Sequence, residues 1–190
     1  MTLIICPGVH DAVLSDRFLW SLNQLQQQAG KSLVLADQVL PTSKYWPFDG
    51  FAVWSFLQMR ADPQAPLLLI GFSAGVVGAI AAANLWQAQG RTVAAVIALD
   101  GWGVPQVGDF PLHRVSHDPF THWSSALLGA AYDSFYAVPA ITHLALWQFP
   151  ERAQGVSLWQ SGQSERTTAI AFIAALVTRY GGRGRDGLTG

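Results

Sequence analysis

The sequence predicts an α/β protein, a three-layer sandwich in which a mostly parallel central sheet lies between two layers of helices. Short runs that are apolar throughout recur along the chain, as is typical of strands buried on both faces. Segments with apolar residues at helical spacing separate these runs. Hydrophobic residues make up 51% of the 190 residues, with eight Trp and ten Phe, so a large core can form without a metal or a disulfide.

Strands and helices alternate regularly over the first hundred residues. Leu3 opens an apolar run that Pro7-Gly8 closes, which predicts a strand followed by a turn. Further along, Ser15 followed by Asp16 offers a helix N-cap. The predicted elements here are strands at 3–6, 32–35, 66–70 and 93–99, helices at 14–28 and 51–59, and a third helix that ends at Gln87.

The pattern weakens after Asp100. We predict strands at 112–116 and 141–147 and helices at 123–132 and 167–180. The segment 181–187 has no apolar residue with which to pack. We therefore expect a single domain over 1–180 and a flexible C-terminal tail over 181–190.

Composition and charge argue against several function classes. A net charge of -1 and a charged fraction of 12% leave no basic stripe for nucleic acid. The single cysteine, Cys6, lies in an apolar run, which predicts a core residue and a reducing compartment. The first residues have no basic region, and no apolar stretch reaches membrane-spanning length, so we expect a cytoplasmic protein without stable membrane insertion.

One motif in the sequence predicts a catalytic residue. The segment Gly71-Phe72-Ser73-Ala74-Gly75 matches G-x-S-x-G and lies between an aliphatic run and a helix rich in small residues, as in a nucleophile elbow. Such a turn is tight and strained, so it needs small residues at both ends. Ser73 is then the candidate nucleophile, with the Ala74 N–H directed at an oxyanion. A plain strand-to-helix turn is the alternative interpretation.

The strand, elbow and helix, together with the loop Pro7-Gly8-Val9-His10, resemble the α/β-hydrolase superfamily over most of the chain. The resemblance implies a second oxyanion N–H near Gly8 or Val9. Since the first predicted strand is the one before this loop, the chain is similar to compact, cutinase-like esterases that have no two leading strands.

The resemblance leaves the acid open between two aspartates. Asp100 ends the strand after the elbow, 27 residues past Ser73, where thioesterase and lipase variants carry their acid. Asp118 stands where most α/β-hydrolases keep theirs. The histidine that the family normally has between its last strand and last helix is missing from 148–166.

The base must then come from another of the five histidines. His117 and His122 follow the predicted strand 112–116, so their loop opens at the same sheet edge as Ser73. We prefer His122, which lies farther along this loop, and keep His117 as the alternative. His10 is the third candidate. His113 and His143 lie in strand-like runs and are assigned structural roles.

Two functions from different classes follow. The leading hypothesis is a serine hydrolase that cleaves a small-molecule carboxylic ester or thioester through an acyl-enzyme on Ser73. The alternative, motivated by the missing histidine, is an inactive hydrolase-like protein that binds a small apolar ligand or a protein partner. We predict no cofactor and no metal site, because the histidines and carboxylates lack an established ligand spacing such as H-E-x-x-H. Acyl length and oligomeric state stay open.

Overall fold

The computed structural model describes residues 1–30, 38–101, 103–105, 107–129 and 132–182. In these residues a seven-stranded sheet is covered by helices. The strands are β1 (Thr2–Cys6), β2 (Leu67–Phe72), β3 (Val93–Leu99), β4 (Leu112–Ser116), β5 (Ser134–Ala137), β6 (Gln154–Leu158) and β7 (Ser164–Thr168). The helices are α1 (Ala12–Gln28), α2 (Gly50–Arg60), α3 (Ala74–Ala88), α4 (Pro119–Ser125), α5 (His143–Gln148) and α6 (Ala169–Gly182).

The sheet has the strand order β1-β2-β3-β4-β5-β6-β7. Strands β1 to β5 are parallel, and β6 and β7 are antiparallel to their neighbours. On the other side of β1, Val39 forms an isolated parallel bridge with Ile5. All carboxyl ends of β1 to β5 therefore meet at one edge, where ligands bind in open α/β sheets.

Two cores lie on opposite faces of the sheet. Ile5 of β1 packs in the core that α1, α5 and α6 cover, whereas its neighbour Ile4 packs in the core that α2 and α3 cover. This alternation follows from the two-residue period of a strand. It confirms the predicted three-layer sandwich.

Strands β1, β2 and β3 are apolar throughout and almost completely buried, as predicted. Every residue of β1, β2 and β4 is buried. Cys6 is fully buried, and burial raises the pKa of its thiol to about 12, so it is a core residue as expected. No helix in the described ranges combines the length and the apolarity that crossing a membrane requires.

The predicted elements of the first half that fall on described residues agree with the structure, apart from their ends. Asp11, not Ser15, caps α1, and its carboxylate accepts the Val13 N–H at 3.0 Å. The predicted strand 32–35 lies outside the described residues. So does the tail beyond Gly182, although α6 extends two residues into the predicted tail.

The second half differs more from the prediction. The predicted strand 141–147 is wrong, because this segment contains helix α5, which Thr142 caps by accepting the Ala145 N–H. The predicted helix 123–132 instead begins at Pro119, and a short 3₁₀ turn at Ala126–Leu128 follows it. Strands β5, β6 and β7 were not predicted. Strand β7 is polar and largely exposed at the sheet edge, so it carries no apolar pattern.

Candidate active site

The segment from β2 to α3 has the geometry of a nucleophile elbow. Ser73 adopts φ 52° and ψ -122° between the strand and the helix, a left-handed conformation that non-glycine residues rarely adopt. Its N–H donates to the Leu99 carbonyl at 2.9 Å, which holds the turn against β3. A Cβ at Gly75 would lie 2.1 Å from the Cys6 carbonyl oxygen, so this position has room only for glycine.

Two backbone segments lie near Ser73, the start of α3 and the loop after β1. Ala74 is the first residue of the 15-residue helix α3, and N–H groups in a first helical turn have no intrahelical acceptor. Gly8, after β1, passes close to the elbow, since a Cβ built on it would lie 3.1 Å from the Ser73 Cβ. Val9 is exposed beside it. Both segments lie at the carboxyl edge of the sheet.

Ser73 opens into a pocket of about 340 Å³. We call this the serine pocket. The remaining side chains that line it come from the ends of β3 and β4 and the starts of α4 and α5. They are Asp100, His117, Thr121 and His143.

Asp100 directly follows β3 and is held in one orientation. Its φ is 49°, and among the described non-glycine residues only Asp100 and Ser73 have such a left-handed φ. Its Oδ1 accepts the His117 backbone N–H at 2.9 Å, so Oδ2 faces the imidazoles. Strained residues that are held by their surroundings cluster at functional sites.

His143, the first residue of α5, carries the imidazole that sequence reasoning missed. Its Nδ1 lies 2.8 Å from Asp100 Oδ2, and its ring stacks on Phe72 with 4.6 Å between centroids. The side chain is 41% exposed. An imidazole that donates its Nδ1–H to a carboxylate keeps a lone pair on Nε2. His143 therefore has a nitrogen that can accept a proton in the serine pocket.

His117 lies between two carboxylates. Its Nδ1 is 2.9 Å from Asp100 Oδ2 and its Nε2 is 2.6 Å from Asp118 Oδ2. The contact with Asp100 and the negative charges of both aspartates, which outweigh burial, raise the pKa of His117. Since both ring nitrogens face acceptors, the doubly protonated ring fits best. This imidazole has no lone pair left for a serine.

Asp118 holds His117 and also caps α4. It accepts the Thr121 N–H at 2.7 Å and the Thr121 hydroxyl at 2.8 Å. Burial opposes ionisation, but these hydrogen bonds and the positive charge of His117 together lower the pKa of Asp118. The two candidate acids thus have different partners, because Asp100 contacts both histidines of the pocket and Asp118 contacts one.

His122, which we expected to approach Ser73, faces another part of the protein. It is 3% exposed and lies 4.8 Å, between ring centroids, from both Trp123 and Tyr136. Burial, followed by the positive charge of Arg114, lowers the pKa of His122 to about 4. The helix that begins after Asp118 turns this side chain away from the residues that line the serine pocket.

The two remaining histidines also lie outside the serine pocket. His113 is fully buried, and its Nε2 is 2.8 Å from the Tyr180 hydroxyl, which agrees with the structural role expected for it. His10 directs Nδ1 at the Asp11 carbonyl, 2.9 Å away. It lines a neighbouring cleft of about 330 Å³ between the loop after β1, the start of α1 and residues 39–43.

His143 escaped sequence reasoning because its segment resembles a short strand. The segment 141–147 resembles a short apolar run because it contains Ile141, Leu144 and Leu146. Periodicity does not separate a helix from a strand over so few residues. The signal that was present is Thr142, a good N-cap residue directly before the histidine.

Comparison with known proteins bears on the fold. No protein-family model and no curated protein sequence matches this chain. Its structure is similar to that of YbtT, described as a type II thioesterase from the yersiniabactin NRPS/PKS biosynthetic pathway, with a TM-score of 0.56 and 13% sequence identity. The similarity covers 94% of this chain and 91% of that one. Together with the elbow and the mostly parallel sheet, it shows that this chain has the α/β-hydrolase fold.

Proposed function

We propose that this protein is a serine hydrolase that cleaves a carboxylic ester or thioester through an acyl-enzyme on Ser73. The observation that carries the proposal is that the strained Ser73 and the Asp100–His143 pair line one pocket. A serine hydroxyl is a weak nucleophile by itself and needs a neighbouring base held by a third group. In this proposal Ser73 is the nucleophile, His143 is the base and Asp100 is the third group.

Each residue has a defined role in the proposed reaction. The Ser73 Oγ attacks the carbonyl carbon while His143 Nε2 takes its proton, and the proton passes to the leaving alcohol or thiol as the C–O or C–S bond breaks. Asp100 fixes the tautomer of His143 and stabilises the imidazolium. Water then attacks the acyl group by the same route, which releases the acid and restores Ser73.

Backbone N–H groups stabilise the oxyanion in this proposal. The Ala74 N–H supplies one donor from the start of α3, and the loop at Gly8 and Val9 supplies the second. The close approach of Gly8 to Ser73 supports this pairing. Donors held by backbone need no reorganisation when the negative charge develops.

Two further observations favour hydrolysis over the binding-protein alternative. That alternative was motivated by the lack of a histidine at 148–166, and His143, after β5, now supplies an imidazole next to Asp100. The similar structure is named a thioesterase, which favours thioesters within the proposed substrate class.

The test compares Ser73→Ala with a matched control, Ser161→Ala, at an exposed serine in the β6–β7 turn. Hydrolysis of a short p-nitrophenyl ester and of a short acyl thioester is measured for both. We expect Ser73→Ala to lower kcat by about 10³-fold or more and to abolish labelling by a fluorophosphonate probe, whereas Ser161→Ala behaves like the parent protein. Equal turnover in the Ser73→Ala protein contradicts the proposal.

A further inference from the structure

Three side chains of the serine pocket converge more closely than a proton relay needs. His117 Nδ1 and His143 Nδ1 both approach the same oxygen, Asp100 Oδ2, at 2.9 and 2.8 Å. In the part of the chain that the structure describes, these residues form the one group of three potential metal-ligating side chains whose ligand atoms all lie within 4.8 Å. The His117 Nδ1 is buried and makes no well-aligned hydrogen bond.

We infer that Asp100, His117 and His143 form a binding site for a divalent transition metal, Zn²⁺ above all, and that the bound metal switches the hydrolase off. Binding stands independently of the proposed function, whereas the inhibition rests on it.

Two of the three spacings between the ligand atoms are close to those of a zinc site, and the third lies within 4.8 Å. Zn–N and Zn–O bonds of about 2.0–2.2 Å in a tetrahedron put ligand atoms roughly 3.3 Å apart. The two contacts to Asp100 Oδ2 are shorter than this by a few tenths of an ångström, so small side-chain rotations admit the ion. Two imidazoles and one carboxylate favour Zn²⁺ over Mg²⁺ or Ca²⁺, which prefer oxygen ligands.

The groups behind the ligands are also arranged as in metal sites. A histidine that binds a metal through one nitrogen usually donates its other N–H to a carboxylate. His117 has this partner, since Nε2 lies 2.6 Å from Asp118, which Thr121 holds in turn. The other carboxylate oxygen of Asp100, Oδ1, accepts a hydrogen bond from the His117 backbone N–H. Two of the three ligands are therefore oriented before any metal binds.

Metal binding and proposed catalysis need opposite tautomers of His143. Catalysis needs a proton on Nδ1, donated to Asp100, and a lone pair on Nε2. When a metal binds at His143 Nδ1, the Nδ1 proton leaves to solvent and Nε2 takes one up, so the neutral ring bonds the metal through Nδ1 and carries its single proton on Nε2. The doubly protonated His117 ring releases its Nδ1 proton to solvent and binds as a neutral ring in the same way. In that form His143 cannot accept the proton of Ser73. Zinc therefore removes the base without touching the serine.

Binding is tested first in the Ser73→Ala protein, which separates it from turnover. Isothermal titration with ZnCl₂ is expected to give one site per chain. His117→Gln and His143→Gln should each weaken binding by about 100-fold, and Asp118→Asn by about tenfold, because it loosens the His117 ring. His10→Gln, which changes an imidazole of the neighbouring cleft, serves as the matched control and should bind like the parent.

Melting temperatures measured without metal show whether each variant folds. If a histidine variant does not fold, Asp118→Asn still tests the site, because it keeps all three ligands. No zinc binding, or undiminished binding in His117→Gln and Asp118→Asn, overturns the site.

In the unmutated protein, Zn²⁺ should inhibit ester hydrolysis, EDTA should reverse the inhibition, and Mg²⁺ should have no effect. Zinc binding with undiminished turnover overturns the switch. Ser73-dependent hydrolysis without zinc binding refutes the metal site alone, whereas zinc binding in a protein that hydrolyses nothing refutes the proposed function alone.

Discussion

The two sides of the serine pocket are built in different ways. One side is Ser73 in its elbow, which belongs to a single continuous segment from β2 to α3. The other side brings together Asp100, His117 and His143, which are 17 and 43 residues apart in the chain when counted from Asp100. The first depends on local backbone geometry, and the second depends on the order of strands in the sheet. A substitution that disturbs the backbone of the elbow should therefore act on folding, whereas a substitution of Asp100, His117 or His143 should act on chemistry.

The largest effect is expected on the elbow side. In Gly75→Ala the added Cβ would lie 2.1 Å from the Cys6 carbonyl oxygen and 2.4 Å from that of Pro7, and backbone atoms cannot yield. We expect a loss of about 4 kcal/mol or more in the free energy of unfolding, measured by urea denaturation. Gly182→Ala, where no atom lies within 4 Å, is the control and should stay close to the parent. Similar midpoints for both variants would contradict this reading of the elbow.

The second effect separates two histidines on the other side. His143→Gln should lower kcat by about 10²- to 10⁴-fold without unfolding the protein, because it removes the proposed base. His122→Phe keeps a ring against Trp123 and Tyr136 and should leave kcat near that of the parent. Steady-state kinetics on the p-nitrophenyl ester decide between them. A larger loss in His122→Phe than in His143→Gln would restore the original prediction of the base.

The third effect separates the two aspartates. Asp100→Asn removes the acceptor that fixes the tautomer of His143, so we expect kcat to fall by about 100-fold. Asp118→Asn acts only on His117 and on the cap of α4, and its effect on kcat should be smaller. If Asp118→Asn lowers kcat more than Asp100→Asn does, the acid is Asp118 and not Asp100.

The same contrast explains what the sequence could and could not predict. The elbow was predictable because G-x-S-x-G, the aliphatic run before it and the small-residue helix after it are neighbours in the chain. The His143 contact was not, because the four-residue strand β5 left no clear pattern and helix α5 looked like a strand. Asp100 was recognised as an end-of-strand residue, but its two imidazole partners depend on β4 and β5 lying beside β3 in order. For the same reason the three proposed metal ligands, which lie on separate elements, show no local ligand spacing in the sequence.

The smallest effect concerns imidazoles outside the pocket. His113 and His122 are buried, and burial is the main cause that lowers the pKa of each to about 4 from the usual 6.5. As pH falls below 6.5 the unfolded chain binds protons at these rings that the folded chain does not, so stability falls between pH 6.5 and 4. At pH 5 the loss from His122 should be about 1–2 kcal/mol relative to pH 7.5.

Urea denaturation at both pH values, with His122→Phe beside the parent, tests this loss. Phenylalanine keeps the ring packing of His122 and carries no titratable group, so the variant should lose less stability on acidification than the parent does. The change that remains combines the loss from His113, which is buried beside Asp133 and Tyr180, with an opposing gain from His117, whose raised pKa lets the folded chain bind its proton before the unfolded chain does. The lowered pKa of Asp118 acts only at lower pH, since an aspartate in the unfolded chain titrates near 3.8. An equal loss in the parent and in His122→Phe would show that folding does not lower the pKa of His122, contrary to the effect of its burial and of the positive charge of Arg114.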